Sequence, residues 1–294
     1  MGFIRYDSVR DNLWIEGYKV SKNSGDTGLQ LTYRPIKPLS GGVLQDIIDT
    51  MKMTVVKVEI SPCPYSWLPK GGKEDNEVEI EAKVYPSDLK TEMIWELYDV
   101  SDEKGYCINA PKNVPKDPLK EDSNEWKDLQ FVSNQSGFEI SGRYRSKAVT
   151  KQAVSKSKIR IKSYDYGAYG KLKVGIRYYK DGNIIYGRNK INPREEYIPI
   201  PYDEKGLKDK NGKDKGNCIA DCWEEIYGYG DPMDDSDSEG NGKVKGDGFT
   251  RYEEYRGVMI NNKHEWLKPE WKEAFIMNES GAMLHIYMLS LIHI

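Results

Sequence analysis

Cysteine and histidine are scarce, with 4 and 3 copies in 294 residues, and each shortage closes off a class of protein. Four cysteines in a chain this long fall far below the density of a disulfide scaffold. Cys63 and Cys107 are the candidate disulfide pair, whereas Cys218 and Cys222 lack the second Cys or His pair that a tetrahedral zinc site needs. With His285 and His293 close to the C-terminal end, a histidine-based catalytic centre is not expected. No glycine-rich phosphate loop or nucleophile elbow occurs. No run of about 18 apolar residues exists, so no helix is expected to span a membrane. A basic excess is also missing: 44 Lys and Arg face 47 Asp and Glu, for a formal charge of -3. A surface built to clamp nucleic-acid phosphates is therefore not expected.

What remains is polar and rich in tyrosine. Hydrophobic residues make up 38% and charged residues 31%, at a mean hydropathy of -0.74, enough for modest cores over about two domains. The 21 Tyr and 27 Gly suit half-exposed sheets joined by tight turns. From Glu77 to Tyr85, Val78, Ile80, Ala82 and Val84 alternate with Glu79, Glu81 and Lys83, the period-two pattern of a strand with one wet face. The pattern recurs at Ile159 and Ile161, and at Leu172, Val174 and Ile176. Asp181-Gly182 lies between two such runs and predicts a hairpin turn. Further strands are expected at Met93 to Tyr98, Leu129 to Val132, Phe138 to Ser141 and Tyr197 to Ile200. With no helical period between them, residues 77–201 predict a mainly β fold, an immunoglobulin-like β-sandwich.

Residues 1–62 carry strand patterns at Leu13 to Ile15, Leu29 to Tyr33 and Met51 to Ile60, too few for a whole sandwich, and read as part of a preceding β-domain. Residues 63–76, rich in Pro, Gly and charge, read as a linker. No basic stretch followed by an apolar core opens the chain, so no signal peptide is expected in it. Residues 202–262 predict a loop-rich calcium-binding segment with short helices at Asp221 to Tyr227 and Thr250 to Gly257. Residues 263–288 read as the start of a further domain. Residues 289–294 read as adapter-derived, an apolar terminal strand being the alternative.

The segment after Pro201 has too few apolar residues to fold by burial alone, so another device must order it. Calcium requires six to eight oxygens, supplied by alternating ligands, a glycine turn and a closing Glu on the next helix. Around Phe249, Asp247 is the mid-loop ligand, Gly248 the turn and Glu254 the closing carboxylate. Lys243 and Lys245 stand where two earlier ligands belong, so the acidic run containing Asp235 and Asp237 is expected to fold back and replace them. A second loop carries Asn217, Asp221 and Glu224, with Lys213 and Lys215 at its early positions. The competing readings are a solvated acidic loop and an acidic helix N-terminus. Two other matches carry no chemistry. Asp26-Thr27-Gly28 lacks the apolar strand an aspartic protease needs before it, and His264-Glu265 has Lys268 where a zinc helix needs its second His.

Several motifs together resemble a family. Asp11 to Gly17, Met53 to Ile60, Ser163 to Leu172, Ile219 to Glu224 and Gly246 to Gly257 are similar to stretches of large bacterial secreted or surface proteins. Those proteins place immunoglobulin-like domains before a calcium loop like that of thrombospondin type-3 repeats. The resemblance implies an extracellular or cell-surface, non-catalytic spacer stiffened by calcium. The partners it implies are further domains of the same chain and a surface glycan or protein. The alternatives are an accessory region of a secreted, peptidase-like hydrolase and a carbohydrate-binding module presenting Trp126, Tyr164, Tyr166 and Tyr169.

Overall fold

A computed structural model describes residues 56–71, 76–109, 127–177, 184–235, 246–261 and 263–272 in full. It also gives the backbone of several strands outside those ranges. Upstream, β1 (Phe3–Asp7) pairs with β2 (Asn12–Glu16), and β3 (Asp26–Tyr33) pairs with β4 (Ile47–Thr54), both antiparallel.

The strands that follow are β5 (Lys57–Ile60), β6 (Glu77–Tyr85), β7 (Met93–Tyr98), β8 (Leu129–Phe131), β9 (Phe138–Ser141) and β10 (Lys147–Thr150). Next come β11 (Lys156–Ser163), β12 (Gly170–Arg177), β13 (Ile184–Tyr186), β14 (Arg188–Asn189) and β15 (Ile198–Ile200). One sheet runs β14-β5-β6-β11-β8 and a second runs β13-β12-β7-β10-β9, with β15 also on β12. The fold is thus mainly β, with several sheets and few helices.

One core joins both sheets. Along β6 every second side chain, Val78, Ile80, Ala82 and Val84, is buried, and Ile159 and Ile161 of β11 join them. The other sheet contributes Met93, Trp95, Leu97, Leu172, Val174 and Ile176 to the same cluster. Full burial of such a side chain contributes about 1.5–3 kcal/mol, so this cluster dominates stability. On the wet face of β6 and β11, Lys158 reaches Glu79 at 2.6 Å, Arg160 reaches Glu77 at 3.0 Å and Lys156 reaches Glu81 at 2.7 Å. All three are diagonal to the register, in which Lys158 faces Glu81. Pairs this exposed fix register more than they stabilise.

The strand pattern expected over Met51 to Ile60 is divided between β4 and β5. β5, grouped with the upstream piece on sequence grounds, pairs with β6 and sends Val58 and Ile60 into the common core. Within residues 63–76, read as a linker, Cys63 and Trp67 lie against that core and Leu68 against a second one.

The second core lies after Pro201. A small hairpin joins β16 (Leu207–Lys208) to β17 (Asp214–Lys215), followed by α1 (Asp221–Tyr227) and α2 (Arg251–Arg256). Ile219, Ala220 and Trp223 pack with Tyr255, and Trp223 meets Tyr255 edge-on at 5.3 Å between ring centres. Thr250 caps α2 through a reciprocal pair of bonds with Glu253, a capping box. Then β18 (Val258–Ile260) turns into β19 (Lys263–Glu265), and β20 (Lys272–Met277) pairs with β21 (Met283–Met288).

The cap formed by α1, α2 and β18–β19 is fastened to the sheets by the turn between β11 and β12. There the fully buried Asp165 accepts from Arg256 Nη2 at 2.6 Å and Nε at 3.2 Å. Arg256 also donates to Lys104 O, and Tyr252 Oη to Gly167 O at 2.9 Å. A side chain at Gly167 would collide with Arg256, so glycine is needed where the helix approaches the turn. Tyr166 stacks on His264 with ring centres 3.5 Å apart.

Candidate functional site

The first turns of α1 and α2 each carry two acidic side chains, Asp221 and Glu224 on α1 and Glu253 and Glu254 on α2. Of the candidate ligands Asn217, Asp221 and Glu224, the first and last are in contact, while Asp221 binds backbone groups upstream. Asn217 Nδ2 donates to Glu224 Oε1 at 2.7 Å and to Gly230 O at 2.8 Å. Asp221 Oδ1 accepts from the backbone N–H groups of Glu204 and Lys205. Glu224 Oε1 also accepts from Gly230 N and lies 3.8 Å from Arg251 Nε. Asp221 and Glu224 are both fully buried, yet Asp221 Oδ2 and Glu224 Oε2 have no hydrogen-bond partner.

Asp203, which the sequence pattern does not single out, completes this group. Its Oδ1 accepts from Asn217 N at 2.9 Å and its Oδ2 from Cys218 N at 2.7 Å. Burial pushes its carboxyl up to about 8, with the charges of Asp221 and Glu224 adding to the shift. Burial also raises Asp221 and Glu224, against the hydrogen bonds each receives. Burial is thus the leading cause of the upward shift in all three carboxyls. A cavity of about 550 Å³, lined by Asp203, Asn217, Tyr169, Tyr197 and Lys215, opens beside them.

The second loop is arranged around Asp235 and Asp247. Asp235 Oδ1 accepts from Gly248 N at 3.1 Å, and Asp247 Oδ1 from Phe249 N at 3.0 Å. Asp235 thus lies against the Gly246–Gly248 turn, while Glu254 is buried on α2 at 2% exposure. Asp237, Lys243 and Lys245 lie outside the described residues. Among the described residues, no three His, Cys, Asp or Glu side chains are grouped to hold an ion as they stand.

Other sequence expectations resolve differently. All four cysteines are free: Cys63 lies in the sheet core, while Cys107 packs with Tyr166 on the cap side, so the candidate pair is not joined. His264 sits on β19, not on a helix, and its Nε2 pairs with Arg256 O at 2.8 Å. Tyr164 and Tyr166 are 5% and 3% exposed, so they present no aromatic face to a sugar, and Trp126 lies outside the described residues.

Among the described residues, no helix is long and apolar enough to cross a membrane. No protein-family profile and no curated protein matches the chain. Among solved structures, the reeler domain of human F-spondin aligns at 11% identity over 45% of this chain and 83% of that one, with a TM-score of 0.25.

Proposed function

We propose that the chain is a non-catalytic module of a bacterial extracellular or cell-surface protein. In this reading an immunoglobulin-like β-sandwich carries a cap that calcium stiffens. The observation that carries the reading is the pair of orphaned oxygens, Asp221 Oδ2 and Glu224 Oε2, buried beside a third carboxylate. Burying an acceptor unpaired costs about 1–3 kcal/mol, and more when it is charged, so the arrangement calls for a cation. The oxygens around the two loops would hold calcium, which neutralises them and orders a segment poor in apolar residues. Its binding free energy then becomes folding free energy for the cap.

Calorimetric titration with calcium, paired with limited proteolysis, tests the reading. Saturable binding at or below millimolar calcium, with residues 203–257 protected only when calcium is present, is the expected result. Absence of both binding and protection overturns it.

A further inference from the structure

Cys63 and Cys222 belong to separate parts of the molecule, one in the core shared by the two sheets and the other on α1 beside the core of the cap. The chain nonetheless brings them side by side through Tyr202. The Tyr202 backbone hydrogen-bonds the Cys63 sulfur, and its carbonyl oxygen accepts from the N–H of Asp221, the residue before Cys222, at 3.0 Å. Two residues after Cys63, the Tyr65 ring meets the Tyr202 ring edge-on at 5.3 Å between centres, and Tyr65 Oη donates to Glu225 Oε2 at 2.7 Å. Residues 63–65 thus run alongside residues 221–225, and Leu68 continues onto the same small core that Cys222 packs against. Burial pushes the Cys63 thiol up, and the Cys222 sulfur is near enough to add to the rise. The other two cysteines have different surroundings: Cys107 packs with Tyr166, and Cys218 lines the cavity that contains Lys171 and Lys215.

We propose that Cys63 and Cys222 are the two halves of a disulfide that forms when the protein meets an oxidant and that ties the cap covalently to the sheets. The proposal goes beyond the calcium reading and does not depend on it. The oxidant is a small-molecule disulfide such as oxidised glutathione. Cys222 is half-buried, against 2% exposure for Cys63, so it is the thiol that a disulfide arriving from solvent reaches first. Its thiolate attacks one sulfur of the oxidant, the oxidant's S–S bond breaks, and one glutathione leaves as a thiolate that takes up the proton Cys222 lost. Cys63 then gives up its proton and attacks the Cys222 sulfur of the mixed disulfide, expelling the second glutathione, which takes up that proton. The protein loses two hydrogens with their two electrons, and the oxidant is reduced to two thiols. The new bond encloses residues 64–221, so it removes a large share of the unfolded chain's freedom.

Peptide mapping of the full chain tests this. The protein is reduced and desalted, incubated in its folded state with oxidised glutathione, quenched in acid, then unfolded, alkylated and digested. The expected result is loss of two of the four alkylatable thiols, a mass lower by about 2 Da, and one linked peptide pair that joins Cys63 to Cys222. Four thiols still alkylated, a glutathione adduct retained on Cys222 beside a free Cys63, or a bridge between any other pair overturns the proposal. Under the same treatment Cys222→Ser, checked for folding by circular dichroism, should keep its remaining thiols, whereas Cys218→Ser should still form the bridge. A Cys63 bridge that persists in Cys222→Ser also overturns it. The linkage in the parent decides the matter even where a variant fails to fold, and calcium titration of the reduced protein reads the earlier proposal independently.

Discussion

At the scale of single residues, the most consequential contact is Asp165 with Arg256, because both are nearly withdrawn from water and bound in fork geometry. Removing one partner strands the other charge. Arg256→Met should therefore destabilise the protein by about 3–5 kcal/mol in a denaturant titration, whereas an exposed pair such as Lys158–Glu79 should give under about 1 kcal/mol. Asp203 gives a pH signature of its own. Its carboxyl sits at about 8 in the fold because of burial, against about 3.9 in an unfolded chain. The folded state thus retains a proton that the unfolded chain releases. The stabilisation from Asp203 is complete below about pH 4 and disappears as pH rises through about 8. With chelator present, thermal midpoints measured from pH 6 to 9 should fall more steeply for the parent than for Asp203→Asn.

At the scale of elements, legibility followed periodicity. The alternation of β6, β11 and β12 was visible because a half-buried strand writes its burial directly into every second residue. The two helices were likewise placed to within a residue, since Thr250 and Glu253 form a cap with a local signature. Removing that cap in Thr250→Ala should cost about 1 kcal/mol, read as a shift in denaturant midpoint. Asp203 left no such trace. Its role depends on backbone N–H groups 14 and 15 positions away, across a hairpin, and no local spacing rule reaches that far. Nor could the sequence indicate that Asp165 serves Arg256, a pairing separated by 91 residues. The segment after Pro201 was read as too polar to fold alone, yet Trp223 and Tyr255 give it a small core of its own. Two large aromatic residues bury as much surface as several aliphatic ones.

At the scale of the whole molecule, stability divides into a two-sheet body with a large core and a cap with a small one. Under the proposed function only the cap should respond to the ion. Calcium at about 100 times its dissociation constant adds roughly 2.7 kcal/mol per site. Hydrogen exchange should accordingly slow at amides of α1 and α2 on calcium addition and stay unchanged in β6 and β11.

The clasp between α2 and the β11–β12 turn also gives the molecule a direction of weakness. Tension applied downstream of β19 loads the contacts of His264, Met259 and Arg256 with the sheet-side loops before it reaches any strand of the two main sheets, so the clasp works as a mechanical fuse. Single-molecule stretching from that end should record a first, low-force rupture that frees the cap, then a second, higher-force one from the sheets. Replacing Arg256 should lower the force of the first event and spare the second.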